Sequence, residues 1–422
     1  MYEITLCKAI TKEEEGRYLE VPFPMPEKTE RIDVAYEIID KGAVTSVVDL
    51  GIRDDSRVRG WSGGARKSFY LTVEKATPGY LPGSLKPGEW AVLLGGYKIA
   101  KTGCEVKITI QFTMREPRWY KGDLHTHSNH SDGMYSLEEV VSIAEKHQLD
   151  FIALTDHNTV SQNFCFPKEN NIVFIAGMEF TTHHGHCNFL GVADPVRDFR
   201  VSSSEEALAK VAEARQSGAL IVLNHPHCSF CPWEWSMDVA YDCVEIWNGP
   251  WREDNQRTLD WWQQQLSLGR KIVAVGGSDV HRPHPFIRHG FPTTWIYSEG
   301  RDTSSLLQAL RQGHTFITYA PEAPTVHLRY RDKMMGDQAC VKEGNINTAF
   351  TGLAEGDHIR FYTNRGLAAE HIATENIQRY QVEVKNEKFL RAEVWRKFNI
   401  PDVIDAYLPV TISNPIYFNT KE

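Results

Sequence analysis

The chain has 422 residues, 41% hydrophobic and 24% charged, with a formal net charge of −9 at pH 7. That length allows two or three domains with buried cores. The acidic balance argues against a nucleic-acid partner, which needs a basic stripe, but leaves room for an acidic small molecule in a locally cationic pocket.

The N-terminus, MYEITLCKAITKEEEGRYLE, has no basic leader followed by an apolar stretch. No apolar run approaches the roughly 20 residues that span a bilayer. The eight cysteines are scattered. The expectation is a cytoplasmic protein with reduced thiols and no membrane partner.

Residues 1–117 read as short β-rich runs: RYLEVPF, RIDVAYEI, VTSVVDLGI, KSFYLTVE, EWAVLLGGYKI and EVKITIQF. Turn-prone clusters such as DDSRVRGWSGG and PGYLPGSLKPG separate them, which predicts a β-sandwich ending near Pro117. From 118 the rhythm changes. FIALT (151–155), NIVFIAG (171–177), CNFLGV (187–192), ALIVLN (219–224), CVEIW (243–247), KIVAVGG (271–277) and TTWIYS (293–298) read as strands, several of them separated by helices. SLEEVVSIAEKHQ carries Ser136 and Glu139 in capping-box spacing, and SSEEALAKVAEARQSG repeats it with Ser203 and Glu206. The helices stop at Gly218, Gly269 and Gly313. Apolar strands alternating with helices predict parallel strands, in a closed barrel or an open doubly wound sheet. TVHLRY, HIRFYT, QRYQVEV, FLRAEVW, YLPVTI and PIYF predict a small β domain over 321–422.

Metal-capable residues recur beside these strands. His125, His127 and Asp132 follow RWYKGDL, Asp156 and His157 follow FIALT, and Glu179 follows NIVFIAG. His186 opens CNFLGV, His225 follows ALIVLN, and Asp279 and His281 follow KIVAVGG. In a β/α barrel the C-terminal strand ends converge on one face. Imidazole and carboxylate donors suit zinc, manganese or iron, and nine donors (all of these but Asp156) exceed the needs of one ion, so two or three ions are expected. Three divalent ions against three carboxylates leave roughly +3, a charge that attracts a phosphate dianion.

HTHSNHSDG, TDHN, GMEFTTHHGHCNFLG, LNHPH and GSDVH, in that order over about 118–320, strongly resemble the polymerase and histidinol phosphatase (PHP) family of metallo-hydrolases. The resemblance implies a distorted (β/α)7 barrel, here flanked by the N-terminal sandwich and the C-terminal β domain. It also implies a metal-dependent phosphoesterase that attacks a small phosphate ester with a metal-bridging hydroxide. Carried over, His125, His127, Glu179 and Asp279 hold one ion, a bridging Glu179 with His186 and His225 a second, and Asp132, His157 and His281 a third. Asp156 orients its neighbours.

GWSGGARKSFYLTVEKATPGYLPG, IWNG and TISNPIYF resemble a narrower branch labelled carbaryl hydrolases, which implies a carbamate ester as the alternative substrate. A non-catalytic module that holds metals structurally is the remaining reading. Around the site, Asn248 is expected to point into the pocket, Arg288 to clamp a phosphate or carboxylate, and His284 to protonate the leaving group. Cys228 and Cys231 form a CxxC without the second pair of a zinc ribbon and read as buried thiols.

Overall fold

In the strand Cys104–Met114 every second residue, from Cys104 through Val106, Ile108 and Ile110 to Phe112, is buried, and the residues between face outward. The same period of two recurs in the strands Tyr18–Met25 and Ser68–Thr72. The computed structural model describes residues 2–40, 45–167, 170–340, 343–400 and 404–419. Its contacts divide the chain into Met1–Pro117 and Arg118–Glu422.

The first unit contains β1 (Tyr2–Ile10), β2 (Tyr18–Met25), β3 (Thr29–Asp40), β4 (Val47–Arg53), β5 (Val58–Gly63), β6 (Ser68–Thr72), β7 (Gly88–Lys98) and β8 (Cys104–Met114). They form two antiparallel sheets, in the orders β1-β8-β3-β6 and β2-β7-β4-β5. Ile32, Val106 and Ile110 of one meet Leu50, Val92 and Leu94 of the other in a shared core. The strand β5 lies inside DDSRVRGWSGG, which sequence composition had assigned to a turn. Only its first residues turn: Asp54 Oδ1 accepts the amides of Ser56 and Arg57. The chain then runs extended against β4.

The second unit opens with β9 (Arg118–Thr126), α1 (Leu137–Lys146), β10 (Phe151–Leu154), β11 (Val173–Thr182) and β12 (Gly185–Leu190). It continues with α2 (Ser204–Gln216), β13 (Leu220–Leu223), β14 (Cys243–Asn248), α3 (Glu253–Ser267), β15 (Val273–Gly277), β16 (Thr293–Ser298), α4 (Thr303–Gln312) and β17 (Thr315–Thr318). The strand order is β15-β14-β13-β12-β11-β10-β9-β16-β17. The short strands β10 (FIAL) and β13 (LIVL) are buried throughout, as apolar strands covered on both faces are. Beyond β15 the chain returns to β9: Asp279 N donates to His125 O at 2.9 Å and His127 N to Val280 O at 3.1 Å.

The expectation of parallel pairing throughout needs correction. β9, β10 and β11 are parallel neighbours, as are β13, β14 and β15. However, β12 is antiparallel to both β11 and β13, and β16 to β9. The reason for β12 is connection length. β11 runs on to Thr182, which pairs with Gly185 across His183 and His184. A two-residue turn can only reverse the chain, because a parallel crossover takes about a dozen residues or more. Glu179 therefore sits within β11, opposite Asn188, rather than beyond a strand end.

The helix starts follow their caps. Ser136 N donates to Glu139 Oε2 at 2.8 Å and Glu139 N to Ser136 Oγ at 3.2 Å, a closed capping box. At α2 the Ser203 Oγ accepts from Glu206 N, but the Glu206 carboxylate takes the amide of Ser202 instead. α4 ends on Gly313 in the left-handed conformation. After residue 320 the strand Ile404–Ser413 pairs with β17, Phe316 facing Ser413, so the C-terminal strands continue the sheet of the second unit. Among the described residues no helix is long and apolar enough to cross a membrane.

Candidate metal centre

Alternation along β9 sends His125 and His127 to one side, and both are buried. Their place is set by neighbours that sequence reading did not single out. Asp123 accepts the amides of His125 (3.2 Å), Ser278 (3.0 Å) and Gly290 (2.7 Å), tying the end of β9 to the loop after β15. Burial pushes its carboxyl up to about 6, against the pull of those N–H donors. Glu245, from β14, takes His125 Nδ1 at 3.0 Å and the amide of His225 at 3.1 Å. It is a buried charge in a strand that otherwise reads as apolar, and that mismatch was the signal for it. Gly277 of β15 leaves the necessary space: a Cβ there would lie 2.4 Å from His125 Cβ and 2.5 Å from Glu245 Oε1.

Two non-glycine residues adopt positive φ just beyond their strands, His225 at 26° and Asp279 at 53°. Such strain persists where surrounding contacts over-determine the backbone. Here those contacts are the Glu245 carboxylate on the His225 amide and the His125 carbonyl on the Asp279 amide.

Glu179 is the centre of the arrangement. Its carboxylate oxygens lie 2.8 Å from His157 Nδ1, 3.2 Å from His186 Nδ1, and 3.3, 3.5 and 3.7 Å from Nε2 of His125, His127 and His225. Burial alone would push this carboxyl up, but His125 and the neighbouring imidazoles hold it well below the carboxylate range. Asp279 Oδ1 faces His127 Nε2 at 3.1 Å and His125 Nε2 at 3.3 Å. Asp132 Oδ1 lies 3.4 Å from His281 Nε2 and 3.6 Å from His157 Nε2, and those two ring nitrogens are 3.3 Å apart. All nine positions that the sequence singled out as donors thus converge.

The distances have a chemical meaning. Nitrogen and oxygen donors at about 2.0–2.2 Å from a tetrahedral ion stand roughly 3.3–3.6 Å apart. A charge-assisted hydrogen bond between the same groups closes to about 2.7–2.9 Å. Most of these pairs fall in the first range. In addition, His125 Nε2, which faces Glu179 and Asp279, is buried without a hydrogen-bond partner among the described residues. Buried polar atoms left unpaired are costly, and a cation removes that cost. The donor set therefore suits divalent metal ions.

The expected catalytic residues divide. Asn248 is buried in the site, its Nδ2 donating to Glu245 Oε2 at 3.1 Å and Asp279 Oδ2 at 3.2 Å. Asp156 accepts from Ser128 N, Ser128 Oγ and Ser131 Oγ at 2.9, 2.8 and 2.7 Å, and so holds the turn that presents Asp132. His284 and Arg288 are not brought to the cluster. Both are exposed. His284 Nδ1 accepts the amides of Phe286 and Ile287, and the Arg288 guanidinium bonds Pro285 O beside the Phe291 ring. His130 bonds Ser161, His184 bonds Glu234, and His227 packs on Trp261.

Two tests arise from this geometry. Glu245→Gln keeps the shape but weakens the acceptor that orients His125, so metal affinity by equilibrium dialysis should fall about 10–100-fold with the fold retained. His289, buried in the loop after β15, is pushed down to about 3 by burial and then by His147. Above its unfolded value near 6.5 both states are neutral. Below it the unfolded chain takes a proton that the folded chain refuses, so stability falls with pH, by about 2 kcal/mol at pH 5. Urea melts from pH 7.5 to 5 should show this loss in the wild type and much less of it in His289→Gln.

Residues 123–227 match the family model described as the PHP domain, a span that includes every site residue from His125 to His225 but neither Asp279 nor His281. An uncharacterized protein of Methanocaldococcus jannaschii is 26% identical over 149 residues, 32% of this chain and 84% of that protein. A Bacteroides vulgatus structure of a two-domain protein containing a predicted PHP-like metal-dependent phosphoesterase aligns at a TM-score of 0.42 and 17% identity, covering 70% of this chain and 95% of that one. A Chromobacterium violaceum amidohydrolase structure with bound sulfate and no metal aligns at 0.32 and 18%, covering 47% and 97%. The PHP match supports the resemblance read from the motifs over that part of the chain, while superpositions this loose carry no role to its residues.

Proposed function

We propose that the chain is a metal-dependent phosphoesterase acting on a small phosphate ester, with two or three zinc, manganese or iron ions at the convergence of β9, β11, β13 and β15. The observation that carries this is the buried Glu179 carboxylate with five imidazoles within 3.7 Å of its oxygens. One ion is assigned to His125, His127, Glu179 and Asp279, a second to Glu179, His186 and His225, and a third to Asp132, His157 and His281. Divalent ions there supply Lewis acidity and lower the pKa of water to about 7, so no side-chain nucleophile is required.

The chain's own groups prepare that chemistry. Glu245 accepts a hydrogen bond from His125 Nδ1–H, which leaves the Nε2 lone pair turned toward Glu179 and Asp279. Asn248 holds Asp279 Oδ2, so that Oδ1 faces His125 and His127. Asp132, exposed, and His281, partly buried, mark the side open to a substrate. Three divalent charges against Asp132, Glu179 and Asp279 leave roughly +3, which favours a phosphate dianion and the charge that develops during its hydrolysis.

A carboxylic or carbamate ester is the second reading. It is favoured by an apolar cavity of about 290 Å³ bordered by Trp247, Trp251, Phe286 and Phe291, next in sequence to Asn248 and to the loop of His281. The eight cysteines are free, in keeping with a reducing cytoplasm. The discriminating experiment offers p-nitrophenyl phosphate, its bis-ester and 1-naphthyl methylcarbamate to the protein loaded with Mn²⁺, Zn²⁺ or Fe²⁺. Phosphate turnover supports the first reading and carbamate turnover alone the second. Silence throughout contradicts both and leaves a module that holds metals structurally.

A further inference from the structure

The loop after β13 places a sulfur beside the cluster. Cys228 N donates to His225 O at 2.9 Å and Trp233 N to Pro226 O at 3.0 Å, so residues 226–233 fold back under the His225 ring. Cys231 Sγ then lies 3.8 Å from His225 Nδ1 and 3.5 Å from Cys228 Sγ. The ring presents its other nitrogen to Glu179. Donor atoms of His186, His225 and Cys231 all lie within 4.8 Å of one another.

We propose that Cys231 is a thiolate ligand of an ion held at His225 Nδ1 together with His186, an inference that rests on the metal-site reading and revises it at one point: the sulfur takes the place of Glu179, which faces the other nitrogen of that ring. Zinc–sulfur bonds of about 2.3 Å and zinc–nitrogen bonds of about 2.0–2.1 Å put sulfur and nitrogen of a tetrahedral site roughly 3.6 Å apart. The observed 3.8 Å is close to that edge. On binding, the S–H bond is exchanged for a sulfur–metal bond and the proton leaves to solvent. A soft thiolate among imidazoles and carboxylates selects zinc or iron over manganese at this position, while the sites built from His, Asp and Glu alone remain open to manganese. Cys228 is buried and stands 3.5 Å from Cys231 Sγ, but it is not among the donors that gather with His186 and His225.

The test loads the metal-free full chain with Co²⁺ and compares wild type, C231S and C228S. The expected result is a near-ultraviolet sulfur-to-cobalt charge-transfer band in wild type and C228S that is absent from C231S. In parallel, C231S should lose zinc affinity at one site by about tenfold or more. Circular dichroism establishes that each variant is folded, and C231A serves if C231S is not. A wild-type protein that binds two or more Co²⁺ without the band overturns the cysteine ligand but leaves the metal centre standing. A band lost in C228S and kept in C231S overturns it as well. A chain that binds no Co²⁺ at all overturns the metal centre itself.

Discussion

Glu179→Gln should reduce bound metal from two or three ions per chain to one or fewer, and lower hydrolysis at least about a thousandfold, some 4 kcal/mol of barrier. The size of the effect follows from where the carboxylate stands. Its oxygens face His125, His127, His157, His186 and His225, so it takes part in more than one of the proposed sites. The amide retains the volume, and Asn224 Nδ2, which now donates to Glu179 Oε1 at 2.8 Å, would meet either an oxygen or a clashing NH₂. Fold should therefore survive better than function. Metal content by plasma mass spectrometry and the melting curve of the same sample separate the two. A variant that keeps both its ions and its rate would remove Glu179 from the centre.

Gly277→Ala acts through shape alone. The added methyl would stand 2.4 Å from His125 Cβ and 2.5 Å from Glu245 Oε1, with His125 N at 3.3 Å. His125 Cβ is fixed to the backbone of β9, so relief requires moving the strand or the Glu245 acceptor. Overpacking of this kind costs about 1–3 kcal/mol, and the loss of alignment should weaken metal binding by a factor of ten or more. Gly218→Ala is the control, since nothing lies within 4 Å of its Cβ and only its positive φ resists substitution. Equal melting temperatures and metal affinities for Gly277→Ala and wild type would contradict the account of this wall.

How much of this was legible depends on whether the signal was local. The sandwich announces itself because Cys104 to Phe112 alternates cleanly, and α1 because Ser136 and Glu139 cap each other within four residues. The nine donors were legible because each lies in or near an apolar strand, where an imidazole or carboxylate is conspicuous. Their convergence could be expected but not measured, since Glu179 and Asp279 are a hundred residues apart in sequence and meet His125 only through the sheet.

What escaped was long-range or hidden in composition. Asp123 makes its bonds to Ser278 and Gly290, far along the chain. The reversal at β12 turns on His183 and His184, residues with no turn signature, and Gly185 takes the positive φ. The strand β5 was masked by its glycines and serine. His284 and Arg288 looked suited to substrate by type and order, yet backbone groups of their own loop already occupy them.

The most direct test is an anomalous-difference map from crystals loaded with Zn²⁺ or Mn²⁺. The account predicts two or three peaks around Glu179, one bounded by His125, His127 and Asp279 and another by His186 and His225. A map whose peaks all lie elsewhere, with these side chains closed on one another through hydrogen bonds, would contradict it.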